Sequence, residues 1–314
     1  MTAPVLDLRH LQMIAILADT PRVTDAAERL GITPSALSHR IREAERRLNV
    51  PLFTRVHKRL RMTPAGEHLA KVAARLLADL SRAESDARRM NRGVTHVVRL
   101  AVESYSSYGW LPPFLRALET REKGIGLQVV AAAARHPLES LADRTIDLAV
   151  VSGAAARSGA DLVHLFDDEL LFIMGPGHRL AGRAHITGPD IVGEDFITFT
   201  RVPAPDREYA RLFRPSRTYP NWTETVELPE AIVEMVAAGL GTSVLAGWAV
   251  KGPIDAGRIV AARVGPDGIT VPWYAAIRAG TADEDRCNRR VAECLAAWCR
   301  ANDGFAMPSA GRTT

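Results

Sequence analysis

The sequence is poor in cysteine and has no long apolar run. Its three cysteines, Cys287, Cys294 and Cys299, form no CxxC pair, which argues against a disulfide framework or a zinc finger. No apolar stretch approaches the roughly 18 residues that a membrane span needs, and residues 1–7 lack the regions of a signal peptide. We therefore expect a cytoplasmic protein with no membrane partner, and 314 residues are enough for two or more domains.

Motifs of the common enzyme classes are also missing. Gly239 and Gly241 lack the third glycine of a dinucleotide loop and the Lys-Ser/Thr of a phosphate loop. HExxH and GxSxG are absent. Metal-ligand spacing is also missing from His136, His164, His178 and His185. Cys287 and Cys294, seven residues apart on one predicted helix, are expected to pack in the core rather than to sense redox state. We expect no catalytic residues, no metal and no cofactor.

Acidic residues are scarce in the N-terminal part of the chain. Residues 1–92 hold 17 of the 40 Lys and Arg residues and 10 of the 36 Asp and Glu residues, a balance of +7, so the rest carries −3. Within Arg40–Arg61 there are eight basic residues and two acidic ones. A basic module on a mildly acidic body indicates a polyanionic partner for that module, although a charge run by itself is more often a solvated face.

Residues 1–63 have the pattern of a small α+β domain. Helices are predicted over residues 8–18, 24–30 and 34–48, and short strands over residues 50–53 and 60–62. Thr24 and Thr33 are candidate N-caps, Pro34 suits the first helical position, and Asn49 suits the left-handed C-terminal position. The second and third helices have the spacing of a helix-turn-helix, and the two strands form a wing with a basic tip at residues 55–59.

Residues 64–92 are predicted to form one long helix. Thr63 and Pro64 repeat the cap-then-proline start, and the helix spans about 40 Å at roughly 1.5 Å per residue. Its apolar residues are spaced alternately by four and three, the pattern of a dimer seam. The seam consists of Leu69, Ala73, Leu76, Leu80, Ala83, Ala87 and Met90, of which Leu69, Leu76, Leu80 and Met90 are the candidate dimerisation residues. The alternative is a helix that packs on its own domain.

From residue 93 onward, strand and helix patterns alternate. Strands are predicted over residues 97–102, 127–133, 146–151, 170–174, 196–199, 242–245 and 273–277, and helices over residues 108–120, 137–142, 229–238 and 283–299. This alternation predicts mainly parallel α/β sheets with ligands at the carboxyl ends of the strands. We expect an α/β domain over residues 93–302, in which a long return connection makes one subdomain of residues 93–163 and 271–302 and a second of residues 164–270, with a tail from residue 303.

The front of the second helix in the helix-turn-helix carries groups that suit DNA. Ser35, Ser38, His39 and Arg42 point outward and would reach base edges in the major groove. The residues that suit phosphates are Thr24, Thr33, the helix start at Pro34, and Arg55, Lys58 and Arg59 of the wing. A helix-turn-helix shape also occurs in domains that bind no DNA, but the ordered series of motif, basic wing and heptad helix is far more specific.

The sequence resembles the LysR-type transcriptional regulators. The resemblance is dense over residues 6–70, in the runs DAAERL from Asp25, TPSALSHRI from Thr33, LNVPLFTR from Leu48 and TPAG from Thr63. It continues more loosely at Ile146–Ala149 and Met235–Gly241. Pro21-Arg22 and Leu48-Asn49 depart from the family pattern and alter only local turns. The resemblance implies a winged helix-turn-helix, a dimerising linker helix, and a two-subdomain effector domain that resembles periplasmic binding proteins of type 2.

The same resemblance implies a small-molecule effector bound between the two subdomains. The positions that correspond to the family's cleft are Glu103, Ser104, Tyr105, Ser106, Ser107, Arg135, His136, Thr200 and Arg201. Hydroxyls and free amides at a helix start suit a carboxylate, and Glu103 would face an ammonium group. The alternatives are ordinary helix caps and a surface cation at Arg135. Glu103, Ser35–His39 and Trp110–Pro112 look most like the methionine-biosynthesis branch, which favours a sulfur amino acid.

Two rival functions compete with a regulator that responds to an effector. An enzyme or solute-binding protein with a DNA-binding module would need a catalytic cluster or an export signal. An architectural DNA protein would not need about 200 residues of ligand-binding α/β sheet. The expected partners are double-stranded DNA, a small effector and further copies of the chain as a dimer or tetramer, with RNA polymerase as an additional partner. The sequence leaves the effector, the target operon and the sign of regulation open.

Overall fold

A computed structural model describes residues 4–56, 59–91, 93–103, 108–153, 160–198, 208–226, 228–280, 283–302 and 304–305. The chain forms two compact units, Met1–Arg92 and Gly93–Thr314. Within the described ranges, most buried apolar side chains of the first unit form one cluster, and most of those of the second form three others. Among the described residues, none of the helices is long and apolar enough to cross a membrane.

The first unit is a winged helix-turn-helix followed by a long helix. Its elements are α1 (Leu8–Asp19), α2 (Val23–Arg29), α3 (Pro34–Leu48), β1 (Phe53–Val56), β2 (Arg59–Met62) and α4 (Pro64–Met90). The Thr33 hydroxyl accepts a hydrogen bond from the Ala36 N–H at 3.2 Å, and Pro34 occupies the first helical position. Asn49 ends α3 in the left-handed region with φ of 54°. These local features of α3 confirm the sequence prediction.

Two local predictions in this unit are wrong. Thr24 does not cap α2, because the helix already begins at Val23 with Arg22 at the N-cap, and the Thr24 hydroxyl instead donates to Asp25 at 2.8 Å. The first strand begins at Phe53 rather than at residue 50. Residues 50–52 form the exit from α3, where the Val50 N–H donates to the Glu45 carbonyl at 3.2 Å.

The long helix α4 divides into a buried start and an exposed remainder. Thr63 caps it by accepting the Gly66 N–H at 3.1 Å, and Leu69 packs against the core of the first unit. Ala73 is fully buried, whereas Leu76 and Leu80 are 47% and 41% exposed. Met90, at the far end, is also exposed. The first turns of α4 therefore pack on their own domain, and its apolar stripe is exposed from Leu76 onward.

The described residues of the second unit form an eight-stranded mixed sheet. Its strands are β3 (His96–Val102), β4 (Ile125–Val129), β5 (Leu148–Ser152), β6 (Ala160–Met174), β7 (His185–Ile186), β10 (Ser243–Ala246), β11 (Val260–Val264) and β12 (Ile269–Arg278). The order is β4-β3-β5-β12-β6-β11-β7, with β10 paired to β6. Strands β8 (Asp195–Thr198) and β9 (Trp222–Thr225) form a separate parallel pair. The late strand β12 rejoins the first half of the unit beside β5.

The prediction of mainly parallel sheets is wrong for much of this unit. The pairs β3–β4, β3–β5 and β7–β11 are parallel, whereas β12 runs antiparallel to both β5 and β6. β6 also pairs antiparallel with β10 and β11. β6 is 15 residues long and β12 is 10, so each reaches well beyond its predicted segment. The two strands together connect the halves of one continuous sheet.

Most helices of the second unit contact its sheet. The helices are α5 (Leu111–Arg121), α6 (Pro137–Ala142), α7 (Arg214–Ser216, which follows a π-helical turn at Tyr209–Phe213), α8 (Pro229–Ala237), α9 (Gly247–Asp255) and α10 (Asp283–Ala301).

In α10, Cys287 and Cys299 are buried and Cys294 packs against the core. Burial raises the pKa of the Cys299 thiol to about 12. The expected packing role of these thiols is confirmed.

The described residues after α10 belong to the core rather than to a tail. Phe305 is 2% exposed and stacks on Trp110 with ring centroids 4.1 Å apart. Its ring also meets Phe166 of β6 and Trp248 of α9 edge-on, at 5.0 and 5.3 Å. Gly304 has φ of 72°, and a Cβ there would lie 2.9 Å from the Phe166 ring. Gly304 and Phe305, which follow the predicted domain end at residue 302, therefore pack with the second unit.

Candidate DNA-binding surface and effector region

The recognition helix α3 presents a polar front and buries an apolar back. Leu37, Ile41 and Ala44 are buried in the core of the first unit. On the opposite side the exposed residues are Thr33, Pro34, Ser35, His39 and Arg42, and Ser38 is half-buried. The Arg42 guanidinium donates to the Ser38 carbonyl at 3.3 Å. The helical period thus brings the predicted base-reading residues onto one surface.

The wing is a two-stranded antiparallel hairpin beside α3. β1 and β2 pair in register from Phe53 with Met62 to Val56 with Arg59. Arg59 is exposed, and Arg55 lies in β1 opposite Leu60. Lys58 lies outside the described residues. Thr24 is exposed in the first turn of α2, on the neighbouring element of the helix-turn-helix.

Hydrogen bonds fix the base of the wing to three other elements. Glu45 of α3 accepts the N–H groups of Leu52 and Phe53 at 2.8 and 3.1 Å. The Leu60 N–H donates to the Pro21 carbonyl at 2.9 Å, between α1 and α2. The Thr63 N–H, at the start of α4, donates to the Leu52 carbonyl at 2.9 Å. The sequence does not reveal the role of Glu45, because no local pattern links a side chain of α3 to backbone amides seven and eight residues later.

A second polar contact joins α1 to α3. His10 is 2% exposed, with its Nδ1 2.8 Å from Asp7 and its Nε2 3.6 Å from Glu43. Glu43 also pairs with Arg47 one turn along α3, and this hydrogen bond lowers the pKa of the Glu43 carboxyl. Desolvation works to raise the pKa of Asp7, but hydrogen bonds from the His10 and Arg9 backbone amides hold it below its usual value.

The first candidate effector residue, Glu103, lies at the carboxyl end of β3. It is half-buried, and its Oε2 accepts from the N–H and the hydroxyl of Ser152 at 2.9 and 3.0 Å. Its own N–H donates to the Val150 carbonyl at 2.8 Å. The carboxylate therefore joins the ends of two parallel strands, a partner that the sequence did not reveal. Ser104, Tyr105, Ser106 and Ser107, which follow it, lie outside the described residues.

The other candidate effector residues are further from the strand ends than predicted, or are not described. Arg135 and His136 are exposed and precede α6, but a 3-10 turn at Ala131–Ala133 separates them from β4. The predicted strand over residues 127–133 therefore ends early, at Val129. Thr200 and Arg201 lie outside the described residues.

The carboxyl group of a half-buried residue in the middle of β6 was also missed. The Asp168 side chain accepts the Trp248 N–H at 3.1 Å at the start of α9. Burial raises the pKa of Asp168 to about 7, although hydrogen bonds from the backbone amides of Trp248 and Gly247 oppose the shift. In the sequence, Asp168 stands between Asp167 and Glu169, and a run of three acidic residues is typical of a solvated loop.

Family models match both units of the chain. The model described as "Bacterial regulatory helix-turn-helix protein, lysR family" matches residues 8–67. The model described as "LysR substrate binding domain" matches residues 91–301. Together they account for the winged helix-turn-helix and for the mixed α/β unit, and they confirm the predicted fold class.

Individual proteins agree with the family models. The transcriptional regulator MetR of Haemophilus influenzae is 30% identical over 275 residues, which are 87% of this chain and 88% of that protein. The regulatory domain of MetR from N. meningitidis has a TM-score of 0.52 at 28% identity and covers 66% of this chain and 94% of that one. Full-length CbnR, solved with its target DNA, shares the fold with a TM-score of 0.70 at 19% identity, over 92% of this chain and 100% of that one. A protein with these relatives is a regulator rather than an enzyme, and the chain belongs to the LysR family of bacterial transcriptional regulators.

Proposed function

We propose that this LysR-type regulator reads a specific DNA site with α3 and the wing, and that a carboxylate-bearing metabolite in its C-terminal unit controls it. The polar front of α3 beside a hydrogen-bonded basic wing carries the proposal. Short hydroxyls, an imidazole and a guanidinium on one helix face suit base edges in the major groove. Arginine and lysine side chains on a hairpin next to that helix suit the phosphate backbone.

The roles within this surface divide between base reading and phosphate binding. Ser35, Ser38, His39 and Arg42 are proposed to meet base edges. The proposed phosphate contacts are Thr24, Thr33, the helix start at Pro34, Arg55, Lys58 and Arg59. Phosphate contacts position a protein on any duplex, whereas base contacts discriminate between sequences.

Gel shifts with a cognate site and a scrambled duplex test this division. Arg55→Ala and Lys58→Ala should weaken binding to both duplexes, and each lost phosphate contact should reduce the salt slope by about 0.9. Ser38→Ala and His39→Ala should instead reduce the preference for the cognate site and leave the salt slope near that of wild type. A uniform loss in all four variants would refute the division of roles.

The exposed stripe of α4 supports a dimer within the same proposal. Leu76, Leu80 and Met90 are apolar and exposed in the protomer, and burying them against a second copy removes that surface from water. Leu69 contributes only at the edge of this stripe, because it packs on its own domain. Two reading heads predict a roughly two-fold symmetric site. Tetramers of this chain and a contact with RNA polymerase belong to the proposal as well.

The proposed effector is a small carboxylate, with a sulfur amino acid such as homocysteine as the first candidate. The name of the MetR relatives supports a methionine-related ligand. Ser104, Tyr105, Ser106 and Ser107 would offer hydroxyls and amides to the carboxylate. Arg135, His136, Thr200 and Arg201 would close the other side. Glu103 Oε1 would face the ammonium group, while Oε2 keeps its hydrogen bonds from Ser152.

Calorimetry with homocysteine, methionine and a plain carboxylic acid tests the effector site. Ser106→Ala should cost about 1 kcal/mol for one lost hydrogen bond. Glu103→Gln should weaken a zwitterion more than a plain acid. Ser152→Ala is the matched control, because it removes only the hydroxyl that donates to Glu103 and leaves the Glu103 charge in place. If both site variants kept wild-type affinity for every ligand, this loop would not be part of the effector site.

A further inference from the structure

We infer that Glu45 is a positioning residue for DNA binding, whose carboxylate fixes the wing to the recognition helix. The inference rests on the proposed DNA-binding function. Glu45 lies in the last turns of α3, and one of its oxygens accepts both the Leu52 and the Phe53 N–H, at 2.8 and 3.1 Å. Two amides held by one side chain of α3 set the direction in which β1 leaves that helix.

The peptide of Leu52 is the point where this contact acts. Its N–H donates to Glu45, and its carbonyl accepts the Thr63 N–H at 2.9 Å. The same carbonyl oxygen lies close against α4, since a Cβ added at Gly66 would overlap it. The Leu52 peptide therefore has no room to move toward α4. Leu52 itself is fully buried. Without Glu45 the wing would keep its attachment to α4 and lose this contact with α3.

The negative charge of Glu45 favours a structural role over a direct contact with DNA. Arg40–Arg61 contains eight basic residues and only two acidic ones, Glu43 and Glu45. Glu43 pairs with Arg47, whereas Glu45 accepts from uncharged amides. A carboxylate beside a phosphate-binding surface repels DNA, so the useful property of Glu45 is its acceptor oxygen. Glutamine offers the same acceptor without the charge.

Three variants of the full chain separate these properties. Glu45→Ala removes the acceptor, Glu45→Gln retains it, and Glu28→Ala removes an exposed acidic side chain from α2 as the matched control. The measurements are the salt dependence of binding to a cognate duplex, by fluorescence anisotropy, and hydrogen exchange of peptides that contain Leu52 and Phe53. Thermal unfolding of each variant sets a temperature at which all of them remain folded.

Glu45→Ala should flatten the salt slope by about 1 to 2 per protomer, since each lost phosphate contact is worth about 0.9. Its Leu52 and Phe53 amides should exchange faster. Glu45→Gln and Glu28→Ala should keep the wild-type slope and exchange. A residue that served only stability would lower the melting temperature and leave the slope unchanged in folded protein.

Two results would overturn the inference. One is a wild-type slope in Glu45→Ala despite fast exchange at Leu52 and Phe53, and the other is an equal loss of slope in Glu45→Gln. If Glu45→Ala did not fold, Glu45→Asp, one methylene shorter, would replace it with the same expectations. A wild-type protein without salt-dependent binding to DNA would instead refute the proposed function, so the two failures are distinguishable.

Discussion

At the scale of single residues, we expect Asp168 to make the stability of the C-terminal unit depend on pH. Burial raises its pKa to about 7, whereas an unfolded aspartate titrates near 3.9. The folded state therefore binds the proton more tightly than the unfolded state does. Protonation of Asp168 stabilises the fold, and this stabilisation is complete below about pH 4. The effect is lost as pH rises to about 7, with an upper bound of about 4 kcal/mol at about 1.4 kcal/mol per pKa unit.

Asp168→Asn should remove this part of the pH dependence. Asparagine is neutral and keeps an oxygen that can accept the Trp248 N–H. Melting temperatures at pH 5 and pH 8 would show a smaller fall in the variant than in wild type. An equal fall in both proteins would mean that Asp168 does not titrate in this range.

Asp147 neutralises two arginines in the same unit. It accepts from Arg99 at 3.3 Å and from Arg278 at 2.9 Å, and all three side chains are at most 15% exposed. Asp147→Asn removes the carboxylate that both guanidinium groups share, so we expect a loss of about 3–5 kcal/mol in the free energy of unfolding. The matched control is Asp161→Asn, because Asp161 pairs with Arg289 at the surface. That change should cost about 1 kcal/mol or less in urea unfolding.

At the scale of elements, the sequence predicted best where the signal is local. The start and end of α3 depend on Thr33, Pro34 and Asn49, which act on their immediate neighbours. The first ten residues of β6 were missed, because Asp161, Asp167 and Glu169 interrupt the apolar pattern. Those residues form a strand through pairing with β12, about 100 residues later in the chain. Phe305 was missed for the same reason, since its ring partners lie far away in sequence.

The seam of α4 is testable as an element. Leu76→Glu with Leu80→Glu would place like charges opposite each other in the proposed dimer, so the chain should become monomeric in sedimentation at micromolar concentration. Ala74→Glu with Ala78→Glu has the same charge and spacing on the outward side of the helix, and it should remain a dimer. A monomeric wild type under these conditions would contradict the seam.

At the scale of the whole molecule, the separation of the cores predicts two unfolding transitions. The buried apolar cluster of the first unit contains residues up to Ala70, whereas the clusters of the second begin at Val98. The Glu103 contact with Ser152 lies entirely within the second unit. A ligand that binds only a folded unit raises the stability of that unit, by about 2.7 kcal/mol at a concentration 100 times Kd.

Calorimetric scans of the full chain should therefore resolve two transitions, of which the proposed effector raises only one. The transition that the ligand raises should be the one that Asp147→Asn lowers, because both act on the second unit. The transition that remains should be the one that Leu37→Ala lowers, since Leu37 is fully buried in the first unit. If homocysteine raised the transition sensitive to Leu37→Ala, the ligand would bind the first unit, and the proposed effector site would be wrong.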